Sequence, residues 1–115
     1  MSLKVNVRAV GDVTILDLNG RIVPGEESGT FRDAIRQLLD EGKKMILLNF
    51  ADVKSVDSSG LGQLVSSHVT ATNQGASLKL LNVQKRMHEV LQITRLYTIF
   101  QTFADEKAAV ESFSG

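Results

Sequence analysis

Cysteine is absent from the 115 residues, which excludes a disulfide framework, a thiolate nucleophile and any zinc or iron–sulfur site built on thiolates. The only two histidines, His68 and His88, stand apart and form no ligand cluster, so neither a metal nor another cofactor is expected. Net charge is lacking too. Thirteen Lys and Arg balance thirteen Asp and Glu, so no overall basic field draws the chain to nucleic acid or acidic lipid. No apolar run approaches the roughly 18–20 residues of a membrane span. Met1-Ser2-Leu3-Lys4 leads into alternating sequence instead of a signal-peptide apolar stretch. A cytoplasmic protein is the expectation. With one proline, no internal repeat and no low-complexity tract, nothing divides the chain. Residues 1–115 read as a single domain, whose 43% hydrophobic residues suffice for a core.

What is present alternates between strand and helix patterns. Val5, Val7 and Ala9 alternate with Lys4, Asn6 and Arg8, the period of an edge strand with one wet face. Gly11-Asp12 turns the chain into a β-branched strand over 13–18, antiparallel to the first, which Asn19-Gly20 is expected to end. After Pro24-Gly25, Phe31, Ile35, Leu38 and Leu39 mark a helix over 26–41 that stops at Gly42. Residues 45–50 are almost continuously apolar, as a central parallel strand buried on both faces requires. A second helix over 58–73 carries Leu61, Leu64, Val65, His68, Val69 and Thr72 on one stripe and stops at Gly75. A strand over 77–81, a helix over 84–93, a strand over 98–103 and a closing helix over 104–113 follow. Strands alternating with helices imply an α/β fold with right-handed crossovers and a mostly parallel sheet.

The chemistry is concentrated between the central strand and the second helix, in Val56-Asp57-Ser58-Ser59-Gly60-Leu61-Gly62. Loops at the carboxyl ends of strands are where α/β sheets meet their ligands and partners. Asp57 or Ser58 can cap the helix, and the two glycines remove side chains that would crowd an approaching group. Each glycine costs about 0.8–1 kcal/mol against alanine in a helix interior. A phosphate on Ser58 would lie where the helix dipole favours negative charge, although the Asp57 carboxylate would repel it. From the residues alone a purely structural reading, capping plus close helix–sheet packing, stands beside the functional one.

In its context, the run from Val56 to Val65, VDSSGLGQLV, resembles the STAS domain of anti-sigma factor antagonists of the bacterial sporulation and stress-response type. The resemblance extends over essentially the whole chain. It implies a single α/β domain with a mixed, mostly parallel five-stranded sheet, about four helices and an antiparallel N-terminal edge hairpin. It also implies that Ser58 is phosphorylated by the partner anti-sigma factor, a serine kinase. Unphosphorylated, such a domain binds that kinase and frees a sigma factor; phosphorylated, it is released, and a phosphatase resets it. The partner surface then comprises Asp57, Ser58, Ser59, Gly60, Gly62, Gln63 and Ser66, and the chain itself is no enzyme. One departure stands at the end of the second strand. Gly20-Arg21-Ile22 is followed by Val23 and Pro24, where many similar members carry an acidic residue facing the kinase and its nucleotide.

Other readings of the same residues are weaker. A serine hydrolase using Ser58 needs the elbow Gly-x-Ser-x-Gly, and Val56 occupies the first glycine's place. His68 falls on the apolar stripe and His88 beside Lys85 and Arg86, a packed and a solvated histidine. Gly60-Leu61-Gly62 alone is a poor nucleotide fingerprint, with Val65 where a third glycine belongs and no Walker element. A scaffold or sensor module of another bacterial signalling or transport assembly keeps the serine junction and changes the partner. Gln63, Ser66, Ser67, Thr70 and Asn73 are expected to form a flat polar outer face on the second helix. Lys85, Arg86 and Arg95 read as solvated cations.

Overall fold

The two-residue turn Gly11-Asp12 folds strand β1 (Lys4–Val10) back on β2 (Val13–Ile22), pairing Val10 with Val13 and Lys4 with Asn19. Gly11 takes φ +60, which such a hairpin asks of its first loop residue and glycine adopts freely. The computed structural model describes residues 3–22, 26–56 and 58–114, and at 21, 22, 26–30, 55, 58 and 59 the backbone alone. Helix α1 (Glu26–Asp40), β3 (Met45–Val56), α2 (Ser58–Asn73), β4 (Ser77–Leu81) and α3 (Lys85–Ile93) follow. A 3-10 turn (Leu96–Thr98), β5 (Thr102–Phe103) and α4 (Glu106–Ser112) complete the described residues. They form one five-stranded sheet in the order β1-β2-β3-β4-β5, antiparallel only between β1 and β2. The expected central place of β3 is borne out.

The sheet winds in one direction, each parallel strand being laid on the same side of the last. Right-handed crossovers then place their helices on a single face. There α1, α2 and α3 bury Phe31, Ile35, Leu64, Met87 and Leu91 against Leu16, Leu48, Leu78 and Leu80. The opposite face is left to α4, whose Ala109 joins Val13, Ile15, Leu47 and Leu81 in a smaller cluster. Alternate strand residues point to opposite faces, so Ile15 serves the small cluster and Leu16 the large one. With both faces of β3 covered, its apolar run at 45–48 needs no polar interruption.

Five local expectations are corrected. On β1, Val7 is 52% exposed and Ala9 is exposed too. Arg8 on the supposedly wet face is half-buried instead, because Asp17 and Glu106 engage it. Asn19-Gly20 does not end β2. Gly20, at φ +122, absorbs a register shift that lets the strand run on to Ile22. The strand expected over 98–103 shrinks to Thr102–Phe103, because Arg95 at φ +63 leads into the 3-10 turn. Helix α4 starts at Glu106, not Ala104, where the Asp105 carboxylate accepts from the Ala108 amide at 2.9 Å and caps the first turn. On α2, Val69 and Thr72 are exposed, and the buried line runs through Leu61, Leu64, Ser67 and Ala71.

Candidate functional site

Strand β3 is far longer than β4, and this mismatch builds the site. The last β3–β4 pair is Asn49 with Leu81, so residues 50–56 run on beside β2 alone. In this overhang β3 twice takes one residue more than β2, between the pairs Asp17–Asn49 and Asn19–Asp52 and again between Gly20–Val53 and Arg21–Ser55. Bulges of this kind re-aim side chains. Phe50, Val53 and Val56 consequently all join the core on the helix face. On the side that β4 would have covered, Gln84 at the start of α3 donates its Nε2 to the carbonyls of Ala51 (2.8 Å) and Phe50 (3.4 Å). A side chain thus replaces a missing ladder.

At the end of the overhang β3 stops at Val56 and α2 begins at Ser58. The Ser58 backbone opens the helix, where first-turn amides carry the positive end of the macrodipole. Asp57 and Val23 lie outside the described residues, as do the side chains of Ser58 and Ser59, so the expected cap and the Val23 departure receive no geometry. Gly60 is buried. Gly62 is exposed, its φ is not positive, and a Cβ there would meet no heavy atom of the described residues within 4 Å. Close packing therefore does not explain Gly62, for the space beside it opens to solvent.

Further along α2 the expected outer face is partly an inner one. Ser67 is only 3% exposed and lines a crevice with Ser66 and Thr70 against Arg32, Ile35, Arg36 and Leu39 of α1. Ser67 is buried there because α1 packs against that side of α2. Gln63 and Thr70 are half-buried, whereas Ser66 and Asn73 remain exposed. His68 packs edge-on to Phe100, ring centroids 5.1 Å apart, and His88 is exposed.

Between the overhang, the start of α2 and α3 lies a cleft of about 480 Å³ walled by Phe50, Val53, Val56, Leu61, Met87 and Val90. The apolar run at 45–50 gave no hint of it, since Val53 and Val56 reach that wall only through the bulges. Among the described residues no group of three His, Asp or Glu side chains is placed to hold a metal. Nor is any helix among them long and apolar enough to cross a membrane.

A hairpin edge, one-way winding and the serine junction at the end of the central strand together agree with a family match: residues 4–109 fit the STAS domain. The chain belongs to that family. This STAS domain is 31% identical over 80 residues to the anti-sigma-B factor antagonist of Bacillus subtilis, covering 70% of this chain and 72% of that one. Its fold superposes on the crystal structure of TM1081 from Thermotoga maritima with a TM-score of 0.86 and 27% identity, over 94% and 92% of the two chains. The Bacillus cell-fate determinant SpoIIAA, solved in its phosphorylated form, shares the fold at a TM-score of 0.74 and 20% identity, over 96% and 99% of the two chains.

Proposed function

We propose that this STAS domain is an anti-sigma factor antagonist, a binding protein switched by phosphorylation of Ser58. The observation that carries the reading is Gly62. A glycine inside the first turns of a helix, with ordinary φ and, among the described residues, open space where its side chain would be, is not required by the packing of the isolated fold. It costs the helix roughly 0.5–1 kcal/mol against alanine. An incoming backbone or side chain lying against that turn is what its absence of a Cβ accommodates, and Ser58 opens the same helix. The likeness to the anti-sigma-B factor antagonist names the kind of partner.

In this reading the partner is an anti-sigma factor with serine kinase activity. It docks on Asp57, Ser58, Ser59, Gly62, Gln63 and Ser66, over the buried Gly60, and thereby gives up its sigma factor. A phosphate on Ser58 adds about −1.5 to −2 charges. The fold tolerates it, because first-turn amides and the helix dipole favour an anion; the docked complex does not, because the added charge must be desolvated against the partner. Kinase and phosphatase chemistry both reside in partner proteins, and the domain acts beside them in the cytoplasm.

The experiment is incubation with ATP and the cognate anti-sigma factor, followed by mass spectrometry of the peptide containing Ser58. Phosphate on Ser58 is expected, with Ser58→Ala binding constitutively and Ser58→Asp weakly. A kinase that labels another antagonist but never Ser58, or equal affinity of the two variants, would sink the reading.

A further inference from the structure

The cleft beside the junction combines an apolar wall with a rim whose neutral side-chain donors, among the described residues, are already engaged. Gln84 Nε2 is held by the carbonyls of Phe50 and Ala51, and Thr94 Oγ1 donates to the Val90 carbonyl at 2.7 Å. Lys54 and Arg86 remain. Both are exposed rim residues, and neither makes a hydrogen bond or ion pair among the described residues. Asp52 on the overhang shares an adjoining polar recess with Lys54, Asn19, Ala51 and Gln84, but forms no ion pair with Lys54. The volume, about 480 Å³, falls in the range of about 300–1,000 Å³ usual for small-molecule sites.

From this juxtaposition, an apolar slot whose uncommitted side-chain donors, among the described residues, are two cations, we infer that the cleft binds a medium-chain alkyl carboxylate. The chain lies among Phe50, Val53, Val56, Leu61, Met87 and Val90, and the carboxylate faces Lys54 and Arg86. The occupant needs an apolar body and an anionic head and nothing else. A nucleobase or sugar would bring several donors, for which the described side chains of the cleft offer only the Gln84 Oε1 acceptor, and leaving donors unpaired is costly. Met87 suits a flexible chain, because an unbranched thioether fills irregular gaps that a rigid ring would not. The site needs neither phosphorylation nor a partner protein, so it stands or falls apart from the Ser58 switch.

The test uses the purified protein with sodium hexanoate, octanoate and decanoate below micelle formation, and decanol and decyltrimethylammonium as neutral and cationic controls. Calorimetry and the methyl NMR signals of Met87 and Val90 report binding. One saturable site is expected, with both methyl signals shifting and affinity rising about fourfold per added methylene until the slot is full. The ammonium should bind at least tenfold more weakly than the carboxylate. Lys54→Glu combined with Arg86→Glu, exposed changes that leave thermal unfolding unaltered, should weaken decanoate at least tenfold. Unmoved methyl signals, unsaturable binding, equal affinity for the ammonium, or an unchanged affinity in the charge-reversed variant would each overturn the inference. So would methyl signals that answer to an anti-sigma factor and to none of the amphiphiles, for the cleft would then be a partner's anchor pocket.

Discussion

Arg8 on β1 and Glu106 on α4, 98 positions apart in the chain, meet in a two-pronged ion pair, with Nη1 donating to Oε2 at 3.1 Å and Nη2 to Oε1. The same guanidinium holds Asp17 on β2, Nε to Oδ2 at 2.6 Å and Nη2 to Oδ1 at 3.2 Å. Asn49 on β3 donates to Asp17 at 2.8 Å, and Asn82 after β4 donates to Asn49 at 3.1 Å. These side chains form a polar band from β1 to the end of β4, across the face that α4 covers only in part.

The band makes stability pH-dependent. Hydrogen bonding to Arg8 is the main cause holding the Asp17 and Glu106 carboxyls below their ordinary values of 3.8 and 4.5, against the opposing pull of desolvation. A carboxyl lowered on folding stabilises the protein above its ordinary value, and that stability is lost as pH falls through the folded-state value. The pairs are partly solvated, so each is worth about 0.2–1 kcal/mol. Arg8→Met is expected to lose about 1 kcal/mol in urea unfolding at neutral pH, with the gap to the unmodified protein closing below the ordinary carboxylate range. A gap that does not change with pH would show that packing, not charge, is what Arg8 supplies.

Gly62→Ala should separate folding from function. With no neighbour for the new methyl among the described residues, the isolated domain is expected to gain about 0.5–1 kcal/mol in denaturant unfolding. Affinity for the anti-sigma factor should fall in the same variant. Unchanged affinity would mean that the open space beside Gly62 is not part of the partner surface.

The two faces of the sheet should differ in the stability they carry. Leu64, 1% exposed in the larger core, is expected to cost about 2–5 kcal/mol when changed to alanine. Phe113, half-buried beside the smaller cluster with the Lys79 ammonium 4.5 Å from its ring centroid, should cost less. Thermal or chemical unfolding of both variants decides the order.

Gln84→Leu removes the side chain that stands in for a sixth ladder position beside β3. Local loosening is expected: faster amide exchange across residues 50–56, with a global loss of only about 0.5–1.5 kcal/mol. Exchange confined to the global unfolding rate would contradict it.

How much of this was legible in the chain depends on which forces act locally. Phe31, Ile35, Leu38 and Leu39 announce α1 because helix period and burial coincide, and Gly42 and Gly75 stop their helices in the left-handed conformation expected of them. The serine junction was legible through its motif and its place after an apolar strand. Tertiary effects were not. Ser67 looks solvent-facing by composition, and only the approach of α1 buries it. Arg8 sits in an ordinary alternating strand until Glu106 arrives from the far end of the chain. The overhang escapes a periodicity reading altogether, since two bulges shift Val53 and Val56 off the strict alternation by which strands are recognised.

The strictly sequential strand order has a bearing on how the domain comes into being. Each strand settles beside the one made just before it, so no gap must be kept open for a later arrival. A chain synthesised from its N-terminus can therefore grow its sheet as it emerges, with helix after helix closing the same side. What must wait is the far side. The Arg8–Glu106 clasp joins the first strand to the last helix, and it fastens only once everything between them is in place.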